Sequence, residues 1–224
     1  MPYFKKNDVN ILFIHIPKTG GSSCELYFSW KFGIPLNRES LFNSTANYSN
    51  KDMIDVVSSL QHITYNQIVK NSKVFNIKFD NLKIITIVRN PYERIISDLF
   101  FFKIINANSS QMEVFDKLPG YLSSKNYDNH NIPQYIFITD HNKNLVPNIH
   151  ILKTEKLKTG MNDLGYTDFD RHDHANKDKN KKNYYQYLNN ESIHLINTFY
   201  HLDFLLFKYD KIVVSPVPVP AVCS

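Results

Sequence analysis

The sequence predicts an α/β fold, a three-layer α/β/α arrangement built on a central, mainly parallel sheet. Three apolar, β-branched runs carry this reading: Ile11 to Ile16, Lys83 to Val88 and Asn148 to Lys153. Each runs into a short polar turn and then a helix-like segment, and that alternation favours parallel strands joined by helical crossovers. With 224 residues, 42% of them hydrophobic, the chain is long enough to bury one sizeable core. We expect a single domain over residues 1–214 and an extended, flexible Pro/Val-rich tail over 215–224.

Taken in order, Pro2 to Asn10 reads as a polar lead-in to the first strand. Glu25 to Phe32 continues as a helix, with Tyr27, Phe28 and Trp30 at core-like spacings. Gly33 to Lys51, rich in Asn and Ser, is an irregular excursion that Leu36, Leu41 and Phe42 can anchor. Asp55 to Leu60 is a short strand or helix, and Thr64 is placed to cap a helix that runs on to Asn71. Beyond the second strand, Pro91 opens a helix over Tyr92 to Ile105, since proline is tolerated in a first turn. Gln111 to Leu122 forms another helix, closing at or just after Pro119-Gly120. The third strand leads into a short helix from Thr154, and Phe169 to Asn183 is a charged loop rich in His and Lys. Glu191 to Phe207 is a final amphipathic helix whose Ile193, Ile196, Phe199 and Leu202 face the core.

Composition narrows the functional classes. The aromatic fraction of 14% excludes a mostly disordered chain. A net charge of +5, from 26 basic and 21 acidic residues, favours an anionic partner without requiring nucleic acid. The two cysteines, Cys24 and Cys223, offer no disulfide framework. No signal peptide and no apolar run of about 18 residues is present, so we expect no membrane segment in this chain. The sequons at Asn43, Asn47, Asn108 and Asn190 suit a secretory enzyme, though sequons arise readily in so asparagine-rich a chain.

The chemistry concentrates in His15-Ile16-Pro17-Lys18-Thr19-Gly20-Gly21-Ser22-Ser23. Gly20 and Gly21 let the backbone curl close to an anion, and the helix that follows presents unpaired N–H groups at the positive end of its dipole. Lys18 adds a full charge, and the hydroxyls of Thr19, Ser22 and Ser23 add donors. This is an anion cradle, but not the usual nucleotide loop, in which the lysine follows the glycines and precedes a Mg²⁺-binding hydroxyl. Here Lys18 precedes both glycines.

The second strand ends in Val88-Arg89-Asn90-Pro91-Tyr92-Glu93-Arg94-Ile95-Ile96-Ser97. With both stretches in this order, the chain resembles the sulfotransferases that use 3′-phosphoadenosine 5′-phosphosulfate (PAPS), in particular the carbohydrate sulfotransferases. Their first motif looks like H-I-P-K-T-G-G-[ST]-S and their second like V-R-[ND]-P-x-x-R-x-x-S. The resemblance implies a P-loop-like sulfotransferase fold, with PAPS as donor and 3′,5′-adenosine bisphosphate (PAP) as product. It places Lys18 near the oxygen linking sulfate to phosphate, and the backbone and hydroxyls of Thr19 to Ser23 on the 5′-phosphate. Arg89 and Ser97 would take the 3′-phosphate, where a planar guanidinium can pair two oxygens at once. Arg94 is balanced between a ligand and a structural ion pair.

Gln61-His62-Ile63-Thr64-Tyr65-Asn66-Gln67-Ile68 looks like the segment that carries a histidine between the two motifs in similar proteins, so His62 is the candidate general base. His62 as a helix-start residue that merely packs is the competing reading, and His15, on the strand, reads as structural. Further likeness lies in Pro133-Gln134, in Lys153-Thr154-Glu155-Lys156-Leu157 and in Tyr200 to Tyr209, so it spans residues 11–210. His174-Ala175-Asn176-Lys177 looks like a closing loop over the donor, with Lys177 either a donor ligand or part of a solvated basic loop. His172-Asp173-His174 is a weak metal signal, and no metal is required.

The acceptor implied is a carbohydrate or glycoconjugate hydroxyl, with no specific nucleic acid partner. The compartment implied is cytoplasmic, or the Golgi lumen if a membrane anchor precedes the chain. A nucleotide or small-molecule kinase is the alternative enzyme, opposed by the position of Lys18 and by the lack of a clear Mg²⁺-binding aspartate after a strand. A non-catalytic module for anions or sulfated glycans would explain the charge but not the paired motifs.

Overall fold

The computed structural model describes residues 3–36, 55, 56, 58–171 and 183–214. The tail from 215 and Lys177 lie outside these residues. The chain divides into two compact units, Met1–Arg89 with Lys125–Asn180, and Asn90–Ser124 with Lys181–Ser224.

The first unit holds a four-stranded sheet in the order β1-β2-β3-β4, formed by Tyr3–Lys6, Val9–Ile14, Lys83–Val88 and Ile149–Lys153. β2, β3 and β4 are parallel, with Leu12 opposite Ile84 and Thr86 opposite Ile151. The residues expected as a polar lead-in instead form β1, antiparallel to β2 with Phe4 opposite Ile11. The two-residue connection Asn7-Asp8 explains it: Asn7 takes a left-handed φ of 51°, which lets a tight hairpin close. β4 is less buried than its sequence implied, with Leu152 the one buried residue of the strand. It is the last strand in the order, and an end strand is covered from fewer directions.

One face of the sheet is closed by α1, Gly21–Phe32, and α5, Leu157–Asp163. Phe4, Ile11, Phe13, Ile85, Ile87 and Leu152 meet Tyr27 and Phe28 of α1 and Met161 of α5 in one apolar cluster. Phe28 makes edge contacts with Phe4 at 5.5 Å and Tyr166 at 5.1 Å between ring centroids. Burying such a ring contributes about 2–3 kcal/mol. Trp30, expected in this core, is 52% exposed. At about 100° per residue, Trp30 stands far round the helix from Phe28, so the two cannot share one narrow buried face. On the other face Leu12, Ile14, Ile84 and Thr86 are also buried, so both faces of the sheet are covered. The α/β fold class with a mostly parallel sheet flanked by helices is the one expected. A short helix α2, Tyr65–Lys70, opens with Thr64 as its cap in a complete capping box with Gln67.

The second unit is helical: α3 (Pro91–Phe101), α4 (Gln111–Ser123), α6 (Asn190–Phe199) and α7 (His201–Phe207). Pro91 opens α3, as expected, with the Asn90 side chain accepting from the Tyr92 N–H. The final helix expected as one piece is two, parted at Tyr200, which is 2% exposed. Arg94 is buried here, its guanidinium 6.0 Å from the Tyr200 ring centre. Asp98 and Asp203 are buried in the same unit, and Tyr121 donates its hydroxyl proton to Asp98.

Candidate active site

Parallel strands bring their carboxyl ends to one edge of a sheet, and there the loops after β2, β3 and β4 converge. The loop after β2 carries Lys18 and Gly20 at left-handed φ values of 64° and 90°. Gly20 suits that conformation, whereas Lys18 adopts it at a steric cost. The curled backbone is of the kind that turns N–H groups inward on an anion. Thr19 is fully buried, and its hydroxyl donates to the Ile16 carbonyl at 2.8 Å, so the hydroxyl fixes the loop. The Thr154 hydroxyl, just past β4, lies 2.6 Å from the Thr19 carbonyl and 3.2 Å from that of Val88, tying the three loops together.

α1 starts directly from this loop with Gly20 as its cap, no side-chain hydrogen bond to its first turn and no acidic residue there. Among the described residues, the other helices of ten residues or more, α3, α4 and α6, each have an Asn or Ser side chain on those donors. With glycine as its cap, the first turn of α1 carries no side-chain oxygen on its leading N–H groups. Ser22 is exposed and Ser23 buried, its N–H on the Gly20 carbonyl at 3.2 Å.

Arg89, the first residue after β3, is half-buried and donates from Nη1 to the Lys18 carbonyl at 3.3 Å. Its backbone is gripped by the fully buried Gln134 side chain: Arg89 N–H donates to Oε1 and Nε2 donates to the Arg89 carbonyl, both at 2.9 Å. Ser97 lies half-buried on α3, in the second unit.

Behind the loop is a buried polar cluster. His15, the residue after β2, bonds through Nδ1 to Glu25 of α1, and the Gln61 side chain donates to the other Glu25 oxygen at 2.9 Å. Gln61 Nε2 also lies 3.1 Å from His15 Nδ1, so the three side chains form one polar cluster. The next residue, His62, is 8% exposed and its ring meets His15 edge-on at 5.3 Å. The structure therefore brings His62 within one side chain of the loop.

His62 Nδ1 stands 2.7 Å from Asp128 Oδ2. Burial, with His15 and His130 nearby, pushes His62 from its ordinary 6.5 down to about 4, against the pull of Asp128. Burial raises the Asp128 carboxyl, but hydrogen bonds from His62 and Ser59 outweigh it and bring the group down to about 2. At neutral pH the imidazole is neutral and the carboxylate charged. Sequence reasoning missed Asp128, which lies 66 positions from His62 and outside both motifs. His130 completes a trio whose ligand atoms fall within 4.8 Å of one another, the one such group among the described residues.

A model of the sulfotransferase family matches residues 1–210. The chain belongs to the sulfotransferase family. No curated protein and no solved structure matches it. For a sulfotransferase the reaction class is sulfuryl transfer, which needs an anchored anionic donor, a positive charge near the departing oxygen and a group to take the acceptor proton. No helix among the described residues of this sulfotransferase is long and apolar enough to cross a membrane.

Proposed function

We propose that this sulfotransferase uses PAPS as donor and a carbohydrate hydroxyl as acceptor, with Lys18 and His62 as its catalytic residues. The observation that carries the reading is the uncapped first turn of α1, joined to a loop curled at Lys18 and Gly20 and bonded to Arg89. That geometry fits a donor with two separated anionic ends. PAPS supplies the activated sulfuryl group, whose bridging oxygen stays with the 5′-phosphate when the sulfur is transferred.

The backbone N–H groups of Thr19 to Ser22 and the hydroxyls of Ser22 and Ser23 hold the 5′-phosphate in this proposal, while the Ser23 N–H stays on the Gly20 carbonyl. The buried Thr19 hydroxyl keeps the loop in shape. Lys18 neutralises the charge that grows on the bridging oxygen. Arg89 binds the 3′-phosphate, its backbone fixed by Gln134, and Ser97 adds a hydroxyl. His62, neutral at pH 7, accepts the proton of the acceptor hydroxyl. Lys177 contributes a charge over the donor. Residues 1–214 act as one catalytic domain.

Calorimetric titration tests the donor, with PAP beside 5′-AMP and ATP–Mg²⁺. Metal-independent binding that needs the 3′-phosphate and weakens in Arg89→Ala is the expected result. A preference for ATP–Mg²⁺ would replace the reading with a kinase, and no nucleotide binding would replace it with an anion-binding module. For transfer, unsulfated glycosaminoglycan chains with radiolabelled PAPS are the probe, and Lys18→Met should abolish incorporation.

A further inference from the structure

Asp128 stands in a turn of uncommon backbone shape. Asp128 and Asn129 both have left-handed φ, 48° and 63°, and the His130 N–H closes the turn on the Tyr127 carbonyl at 2.8 Å. Consecutive left-handed residues are the pattern of a type I′ turn, where glycine usually takes one of the two positions. Here Asp and Asn, which tolerate that backbone, fill both positions, and both side chains reach the same residue. Asp128 Oδ2 meets His62 Nδ1 at 2.7 Å, and Asn129 Nδ2 donates to the His62 carbonyl at 2.9 Å.

The carboxylate is itself held. Ser59 donates to it twice, from its hydroxyl to Oδ2 at 2.7 Å and from its backbone N–H to Oδ1. An ionised carboxylate can only accept, so the proton in the 2.7 Å contact belongs to His62 Nδ1. Of the titratable groups, Asp128, His15 at 5.3 Å and His130 at 4.7 Å face the imidazole.

We propose that Asp128, held by Ser59, is the positioning residue that fixes His62 as the Nδ1–H tautomer and leaves the Nε2 lone pair as the proton acceptor. The inference rests on the reading of this chain as a sulfotransferase whose base is His62. In the step itself, His62 Nε2 takes the hydroxyl proton while the acceptor oxygen bonds to sulfur. The bond from sulfur to the bridging oxygen breaks, and its electron pair stays on the phosphate. A neutral imidazole with its proton on Nε2 could not serve, and Asp128 excludes that form.

The experiment pairs two readouts on the full chain. Histidine-selective ¹⁵N labelling, with His62 assigned by its loss in His62→Ala, reports the tautomer without any acceptor. Sulfate transfer from PAPS to unsulfated glycosaminoglycan chains reports turnover. Asp128→Asn keeps the size and tolerates the left-handed backbone, so it should fold. In that variant His62 should shift toward the Nε2–H form, and kcat should fall about 10- to 100-fold, with the KM for PAPS within about twofold. The acidic limb of kcat/KM should move to lower pH, because the carboxylate that favours the charged imidazole is gone. Ser59→Ala should show the same changes in smaller measure. If His62→Ala is inactive while Asp128→Asn keeps the wild-type tautomer, kcat and pH profile, Asp128 has no positioning role. If His62→Ala turns over normally, the base assignment fails, and the Asp128 proposal fails with it.

Discussion

The imidazole of His15 occupies the space beside Gly21: a Cβ at Gly21 would come within 2.7 Å of His15 Nε2. His15 cannot easily move aside, because Glu25 holds it on the opposite nitrogen and Gln61 in turn holds Glu25. Gly21→Ala should therefore strain the junction of loop and helix and destabilise the protein by about 1–3 kcal/mol. If the loop holds the donor as proposed, it should also weaken PAP binding. Gly120→Ala is the control: nothing lies within 4 Å of its added methyl, and α4 should be stabilised slightly. Urea denaturation and calorimetry on the two variants check both halves, and equal stability of Gly21→Ala and wild type would refute the packing argument.

Stability should fall on mild acidification because of His62. Its folded pKa, about 4, lies below the ordinary 6.5, so between these values the unfolded chain binds the extra proton. That contribution is complete above about pH 6.5 and is lost as pH falls toward 4. Asp128 acts lower: its stabilisation is present above its ordinary 3.8 and is lost only as pH falls toward about 2. At pH 5 the His62 effect, on the order of 2 kcal/mol relative to pH 7, is expected without that of Asp128, while burial of His150 acts in the same direction. Denaturation curves at pH 5 and pH 7 should show a smaller difference in His62→Gln than in wild type. An undiminished difference would assign the effect to another histidine.

The sheet and the strand–loop–helix junction at Ile11 to Ser23 were legible because each rests on contiguous residues. Ile11 to Ser23 spells strand, turn and helix start in one stretch, and Thr64 with Gln67 spells a capping box. β1 was hidden because Lys5 and Lys6 look like solvent-facing lead-in, although the Asn7-Asp8 pair between two short runs is a hairpin signal. The break at Tyr200 was illegible because the apolar spacing continues across it. Asp128 was illegible for another reason: its meaning comes from a hydrogen bond spanning 66 positions, which no local pattern encodes. The same holds for Glu25, a carboxylate 2% exposed whose partners His15 and Gln61 lie 10 and 36 positions away.

Gln134 should prove necessary to Arg89. Its amide satisfies both the N–H and the carbonyl of Arg89, at 2.9 Å each, from a fully buried position. Gln134→Ala leaves those two backbone groups without that partner, at a cost of about 1–3 kcal/mol for each group that water does not reach. The freed Arg89 should lose much of its hold on a 3′-phosphate. Calorimetry should then show PAP affinity falling toward that of 5′-AMP, with 5′-AMP affinity nearly unchanged. A parallel loss for both nucleotides would point to collapse of the loop instead.

Arg94, within the second sequence motif, should behave as a core residue. It is 2% exposed, while Asp98 and Asp203 are 1% and 0% exposed, and Arg94 is the only lysine or arginine among the buried described residues. The Arg94 and Asp98 charges both act on Tyr121 and on Tyr200, and burial pushes both phenols well above their ordinary range. Removing the guanidinium leaves buried carboxylates short of a cation, which typically destabilises by about 3–5 kcal/mol. Arg94→Met keeps most of the volume and removes the charge, so its loss of stability isolates the electrostatic part. Arg94→Lys should recover some of it, but not the fork geometry or the stacking over Tyr200. If Arg94→Met instead kept wild-type stability and lost PAP affinity, the residue would belong to the donor site rather than to the core.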